Sequence, residues 1–260
     1  MTTAPRARGR PPLLGRLDPP ADRYLRACLG TLAGTPGVDL VGAYLYGSSV
    51  IGEFQRGRSD VDLVAVVGQP LPAGTAEALT ERILAVPAGS AKGLDLAVVT
   101  AAAAGVRSDS PRYELELLTF YAKPKIPAPD AADEVGDPRL VMNFACCRDH
   151  GIALTGPPAV HVFAPVDRDR YLAVLRAELD LRHMPAHYLV LNACRDWRFA
   201  EEGLICSKVE GGRWARDRVA DRWLVDAALQ WQTESAGPVL DQLVVRQFLD
   251  ATAQRLGGSW

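Results

Sequence analysis

Lysine is scarce in this chain. Its 260 residues hold four, Lys92, Lys123, Lys125 and Lys208, and arginine supplies the rest of the 29 basic side chains. Coding bias accounts for that skew, and it makes a lysine inside a motif easy to notice. With 31 acidic residues the net charge is -2, so no overall basic field gathers nucleic acid by counterion release. The expectation is no nucleic-acid partner, although a free nucleotide needs only a local site. Metal-binding spacings are missing as well. The five cysteines, Cys28, Cys146, Cys147, Cys194 and Cys206, form no C-x-x-C pair, and the four histidines stand apart at 150, 161, 183 and 187, which leaves no zinc pattern. The cysteines sit mostly in apolar contexts and read as small buried thiols of a reducing, cytoplasmic setting. No apolar run approaches the ~20 residues of a membrane span, and no fixed period marks a solenoid. Residues 1–20, rich in Arg and Pro, lack the apolar core of a secretory signal. Their prolines oppose an amphipathic helix, so a disordered tail is expected there.

What is present is an ordinary globular composition, 48% apolar and 23% charged, long enough to bury a substantial core. Helical spacing at Tyr24, Leu25, Cys28 and Leu29 predicts a helix over residues 21–32. Strands follow over residues 38–46, 60–67 and 94–99, with a short helix over 49–54 and a longer one over 75–86. Residues 111–121 fit either a strand or a helix. Residues 123–137 (KPKIPAPDAADEVGD) lack periodicity and read as a linker. Beyond it, residues 138–154, 168–181, 188–200, 216–232 and 238–256 show helical spacing, punctuated by Gly156-Pro157-Pro158 and Gly211-Gly212. The expected fold class is an α/β (α+β) domain with a mixed sheet over residues 21–122, followed by an all-α helical-bundle domain over 138–260.

The chemistry concentrates in residues 44–67, YLYGSSVIGEFQRGRSDVDLVAVV. Asp60 and Asp62 are two apart on an expected strand, so both face the same way with Cα atoms ~7 Å apart. That suits carboxylates converging on one Mg²⁺ or bridging a pair of ions, because Mg²⁺ combines carboxylates with substrate phosphate oxygens. Gly47 lets the backbone approach phosphate closely. Ser48 and Ser59 add hydroxyl donors, and a helix starting at Ser49 would turn free N–H groups toward the phosphates. Asp95, inside the next β run, supplies a third carboxylate that can bind metal or take a proton from an attacking hydroxyl.

A Gly-Ser pair closing one strand and an S-D-x-D opening the next resemble the signature of the DNA polymerase β-like nucleotidyltransferase superfamily. The helical second half resembles that of the aminoglycoside adenylyltransferases that modify streptomycin and spectinomycin. The pieces carrying the likeness are YLYGSSVIGEF, RSDVDLVAVV, LDLAVVT, RDHGIALTGPP, CRDW and GLICSKVEGGRWA, and they cover most of residues 38–235. The resemblance implies that Gly47, Ser48 and Ser59 contact a triphosphate and that Asp60 and Asp62 hold Mg²⁺, two ions with Asp95 as a further ligand. Asp95 falls where these enzymes carry a catalytic Glu. Arg195 and Lys208 match residues that reach the nucleotide from the second domain. It further implies ATP as co-substrate, a small-molecule acceptor and a monomer. Two departures bear on the acceptor. Pro185 stands where an acid that holds the drug is expected, with Glu178 and Asp180 nearby but out of register. Phe120 and Tyr121 are approximate candidates for the aromatic contact. The competing readings are a nucleotidyltransferase with another acceptor, a natural-product sugar or a protein, and a nucleotide sensor without turnover.

Overall fold

The structure, a computed structural model, describes residues 17–128, 135–179 and 184–257. Helix α1 spans Pro19–Ala33. Asp18 caps it by accepting from the Ala21 N–H at 3.2 Å, and Pro19 and Pro20 occupy its first turn, where a missing N–H costs nothing. The order is then β1 (Leu40–Tyr46), α2 (Ser48–Ile51), β2 (Val61–Val67), α3 (Thr75–Leu84), β3 (Leu94–Thr100), α4 (Ala101–Ala104), β4 (Leu115–Leu118) and β5 (Lys123–Lys125). After these come α5 (Arg139–His150), β6 (Ile152–Thr155), a 3₁₀ turn at Ala159–His161, α6 (Arg168–Glu178), α7 (Ala186–Glu202), α8 (Lys208–Arg216), α9 (Trp223–Glu234) and α10 (Gln242–Leu256).

The six strands form one sheet in the order β5-β4-β3-β2-β1-β6. β2 and β3 run parallel, joined by the crossover through α3, and the other neighbours are antiparallel. The sheet is therefore mixed, as expected. Side-chain alternation divides it into two faces. Leu45, Leu63, Leu96 and Leu117 pack on one face with Leu25, Leu32, Leu79 and Ile83 of α1 and α3. Tyr44, Tyr46, Val64, Val66, Ala97 and Val99 line the other, against Leu140, Phe144 and Phe163.

Several elements differ from the expectation. The tail expected to reach residue 20 gives way earlier, since Leu17 is buried and α1 starts at Pro19. The ambiguous stretch settles as β4. The expected linker begins with a strand: Lys125 lies in β5 and its Nζ meets Glu116 at 2.8 Å and Asp137 at 3.0 Å. Residues 152–154, expected at the end of a helix, instead form β6 on the β1 edge. Gly211 and Gly212, expected as a break, lie inside α8, where they are buried.

Helix α5 belongs to two cores. Leu140, Phe144 and Cys147 face the sheet, while Ala145 joins Tyr171, Leu175, Ala193 and Leu256 of the C-terminal helices. A separate cluster of Leu191, Cys194, Trp197, Val225, Ala228 and Val245 holds α7, α9 and α10 together. All five cysteines are free thiols. No helix of the described residues is long and apolar enough to cross a membrane.

Candidate active site

Register brings the acids together. In the parallel pair, Asp62 of β2 lies opposite Asp95 of β3, and in the antiparallel pair Asp62 lies opposite Tyr46 of β1. Opposed residues share a face, so Asp62 and Asp95 stand on the face covered by α5. Asp60 precedes β2 by one residue, on the same side by alternation.

Gly47 closes β1 with φ 65° and ψ -149°, a conformation open to Gly alone at ordinary cost. It is required sterically too, because a Cβ there would lie 2.6 Å from the Asp62 carboxyl carbon. The β1–α2 turn is thus pressed onto the acid. Behind it the hydroxyls of Ser48 and Ser49 are buried with no hydrogen-bond partner among the described residues, and an unsatisfied buried hydroxyl is a group awaiting one. Ser59 sits in the loop between α2 and β2, where its Oγ accepts the Gln55 N–H at 3.0 Å and its N–H donates to Gln55 O at 2.8 Å.

The electrostatics are those of a crowded anionic pocket. Burial drives the Asp62 pKa well above the usual carboxylate range, and Asp60 and Asp95 push the same way, against Lys208 and a bond from the Ser48 backbone. Asp95 rises to about 7, mainly through burial, with Arg139 opposing and Asp60 and Glu116 adding to the rise. Acids held in this state become fully ionised only beside added positive charge. Among the described residues no three His, Cys, Asp or Glu side chains form a ready-made metal cluster. A Mg²⁺ that takes part of its shell from substrate phosphates needs no such cage. The donor set of Asp60, Asp62 and Asp95, with unpartnered serine hydroxyls beside the turn, therefore fits a Mg²⁺–nucleotide.

The C-terminal helices close the pocket with cations. Lys208 opens α8 and its Nζ lies 4.3 Å from the centre of the Tyr188 ring. Burial, reinforced by Arg195, lowers its pKa to about 8, while Asp60, Asp62 and Glu53 hold its charge. Arg195 of α7 donates from Nε to Asp196 Oδ1 at 3.3 Å. Burial opposes its charge, but Asp196 more than restores it, leaving the pKa above the guanidinium norm. Gly211 puts the two cations on adjoining helices, since a Cβ there would lie 2.5 Å from Arg195 Cα.

The residues near the expected acceptor end are placed as follows. Phe120 and Tyr121 follow β4 with ring centres 4.7 Å apart, and Lys92 Nζ sits 4.0 Å above Phe120. Pro185 occupies the N-cap of α7. Glu178 ends α6 with a carboxylate oxygen 3.8 Å from Arg139 Nε, and Asp180 lies outside the described residues. Arg139, the counter-charge of Asp95, was not anticipated; its place beside a predicted linker gave no signal. The stack of His187 on Trp231, centres 5.6 Å apart, was equally invisible, because 44 residues separate the two.

Comparison with known proteins agrees with this architecture. The family model described as aminoglycoside adenylyltransferase, C-terminal domain, matches residues 161–254. A spectinomycin 9-adenylyltransferase of Staphylococcus aureus (strain N315) is 26% identical over 193 residues, covering 69% of this chain and 72% of that protein. An aminoglycoside (3'') (9) adenylyltransferase of Klebsiella pneumoniae is 28% identical over 190 residues, covering 69% and 72%. The crystal structure of a spectinomycin adenyltransferase from Enterococcus faecialis, solved with ATP and spectinomycin, superposes with a TM-score of 0.72 at 14% identity, over 90% of this chain and 98% of that one. The helical half thus matches the aminoglycoside adenylyltransferase C-terminal model, and the chain is similar over 69% of its length to adenylyltransferases of that kind.

Proposed function

We propose that this chain is a Mg²⁺-dependent adenylyltransferase that moves AMP from ATP to a hydroxyl of an aminoglycoside and releases pyrophosphate. One observation carries the reading: Asp62 and Asp95 are paired in register on parallel neighbouring strands, with Gly47 pressed against Asp62. The names of the relatives support the substrate class, and the ATP in the neighbour's structure supports the donor.

In this mechanism the β1–α2 turn receives the triphosphate. Gly47 allows close approach, Ser48 Oγ finds its missing partner in a phosphate oxygen, and Ser59 donates from the loop. Asp60 and Asp62, with Asp95 beside them, would hold Mg²⁺, which when bound would supply Lewis-acid neutralisation of phosphate charge. Lys208 and Arg195 bind the triphosphate from the helical side and offset the charge that builds on the departing pyrophosphate. Asp95 lies on the β4 side of Asp62, away from the Ser48 turn. An acceptor hydroxyl entering there gives its proton to the Asp95 carboxylate as its oxygen attacks the α-phosphorus in line. The alternative of another acceptor rests on Pro185, which puts a ring without charge at the N-cap of α7.

The test is mass spectrometry of an aminoglycoside panel, including streptomycin and spectinomycin, after incubation with ATP and Mg²⁺. A mass gain of one AMP on a panel member is expected, and it is expected to vanish in Asp60→Asn. Retained turnover in that variant sinks the mechanism. ATP binding with no modified panel member directs the search to another acceptor.

A further inference from the structure

The segment between α2 and β2 leads from the phosphate turn to Asp60, and it is also where the sheet half grips the C-terminal helices. It does so at two points. At the first, Glu53 receives the N-terminus of α8: Ser207 Oγ donates to Glu53 Oε1, and the Val209 N–H lies 3.5 Å from Oε2. Ser207 is the N-cap of α8 in a capping box with Glu210, and the residue between Ser207 and Val209 is Lys208. At the second point, the loop caps the C-terminus of α9. Arg58 donates from Nη2 to Trp231 O at 3.1 Å, and from Nη1 to Gln232 O at 3.1 Å and Ser235 Oγ at 2.9 Å. Gln55 Nε2 donates to the same Gln232 carbonyl at 2.7 Å. The last carbonyls of a helix have no partner of their own, and a cation is favoured there by the helix dipole. Here both services come from the opposite side of the cleft. Trp231, so held, carries the stacked His187 at the start of α7.

We propose that Arg58, with Glu53 and Gln55, is a positioning residue: it fixes α8 and α9 on the loop that carries Ser59 and Asp60, and so sets the reach of Lys208 over the acids. The inference rests on the reading of this cleft as an ATP site. The loop has one covalent end at the phosphate turn and the other at the acids. A displacement of α8 therefore moves Lys208 relative to both, unless the loop follows. Three hydrogen bonds from one guanidinium fix direction as well as distance, which a lysine ammonium at the same place does not do.

The experiment has two readouts on the whole chain. Hydrogen exchange without nucleotide compares wild type, Arg58→Ala and Arg58→Lys. Faster exchange in the amides of residues 208–213 and 232–236 is expected for Arg58→Ala, with partial recovery in Arg58→Lys; unchanged exchange overturns the coupling. Calorimetry with Mg²⁺–ATP then runs a double-mutant cycle with Lys208→Ala. Arg58→Ala is expected to weaken ATP about tenfold in the wild-type background and less than about twofold beside Lys208→Ala, as residues acting through one another are not additive. Equal losses in both backgrounds overturn the positioning role and leave a helix cap only. Should Arg58→Ala fail to fold, Gln55→Ala and Glu53→Gln carry the same cycle with the same criteria. A failed acceptor assay alongside the expected ATP cycle defeats the proposed reaction and leaves this inference standing.

Discussion

Asp62 is flanked across the sheet by Asp95 on one side and Tyr46 on the other, so no neighbour in the sheet offers it positive charge. Burial and like charge raise both acids, Asp95 to about 7 from an ordinary 3.8. An acid whose folded pKa is raised binds its proton more tightly in the folded state. The folded chain therefore holds more protons than the unfolded chain between pH about 4 and about 7, and stability falls as pH rises through that window. The melting temperature of the nucleotide-free protein should decline from pH 5 to pH 8 in a buffer series. Asp95→Asn should flatten the decline and melt above wild type at pH 8, even though it removes the proposed base. A wild-type profile that rises over this range would contradict the burial and mutual repulsion of these acids. At this scale the sequence was most informative. The D-x-D spacing, the Gly-Ser pair and Asp95 were all legible, and strand periodicity alone places Asp60 and Asp62 on one face; that Asp95 joins them depends on the pairing of β2 with β3. The tight fit of Gly47 against Asp62 was not legible, because it depends on how β1 approaches β2.

Helices α7 and α8 show the reverse balance. Gly-Gly reads as a turn in sequence, and α8 was hidden behind it. In the fold, Gly211 and Gly212 let α8 lie against Arg195, Leu191 and Leu229, with a Cβ at Gly212 2.7 Å from Leu191 Cδ2. Tertiary packing overrides helix propensity here. Gly30, inside α1, has nothing within 4 Å of its Cβ position. Gly30→Ala should therefore stabilise the protein by about 0.5–1 kcal/mol. Gly211→Ala should instead cost about 1–3 kcal/mol, as overpacked sites do, and weaken ATP binding by shifting Arg195 against Lys208. Urea unfolding of both variants checks the signs, and a stabilised Gly211→Ala would refute the close-packing account. The Glu53–Ser207 contact belongs to this scale too: 154 residues separate its partners, and nothing local marks either as a contact.

Across the whole molecule, α5 is the shared element, with one face on the sheet and the other on the C-terminal helices. The nucleotide is proposed to bind between the same two halves, so it should stabilise them together. At a Mg²⁺–ATP concentration one hundred times its Kd, the gain should be about 2.7 kcal/mol, read as a rise in melting temperature by calorimetry. At the same ATP concentration Lys208→Ala should show a smaller rise. An identical rise would mean that Lys208 contributes nothing to holding ATP. The acid spacing carried the expectation of a site only as far as the sheet half. The boundary at residue 138 was drawn from composition, which cannot register that α5 and β6 return to the sheet.

Residue type and alternation were enough to single out the candidate carboxylates, the Gly-Ser turn and the order of sheet before helices. They act over a few residues, and a strand or helix period transmits them directly. The three-dimensional arrangement alone decided that Arg139 faces Asp95, that α8 runs through two glycines, and that Glu53, Gln55 and Arg58 hold helices some 150 to 180 residues away. Those contacts pair groups that are ordinary in their own surroundings. Their partners are chosen by the packing of α5 between two cores, and a chain read in order contains no local term for that.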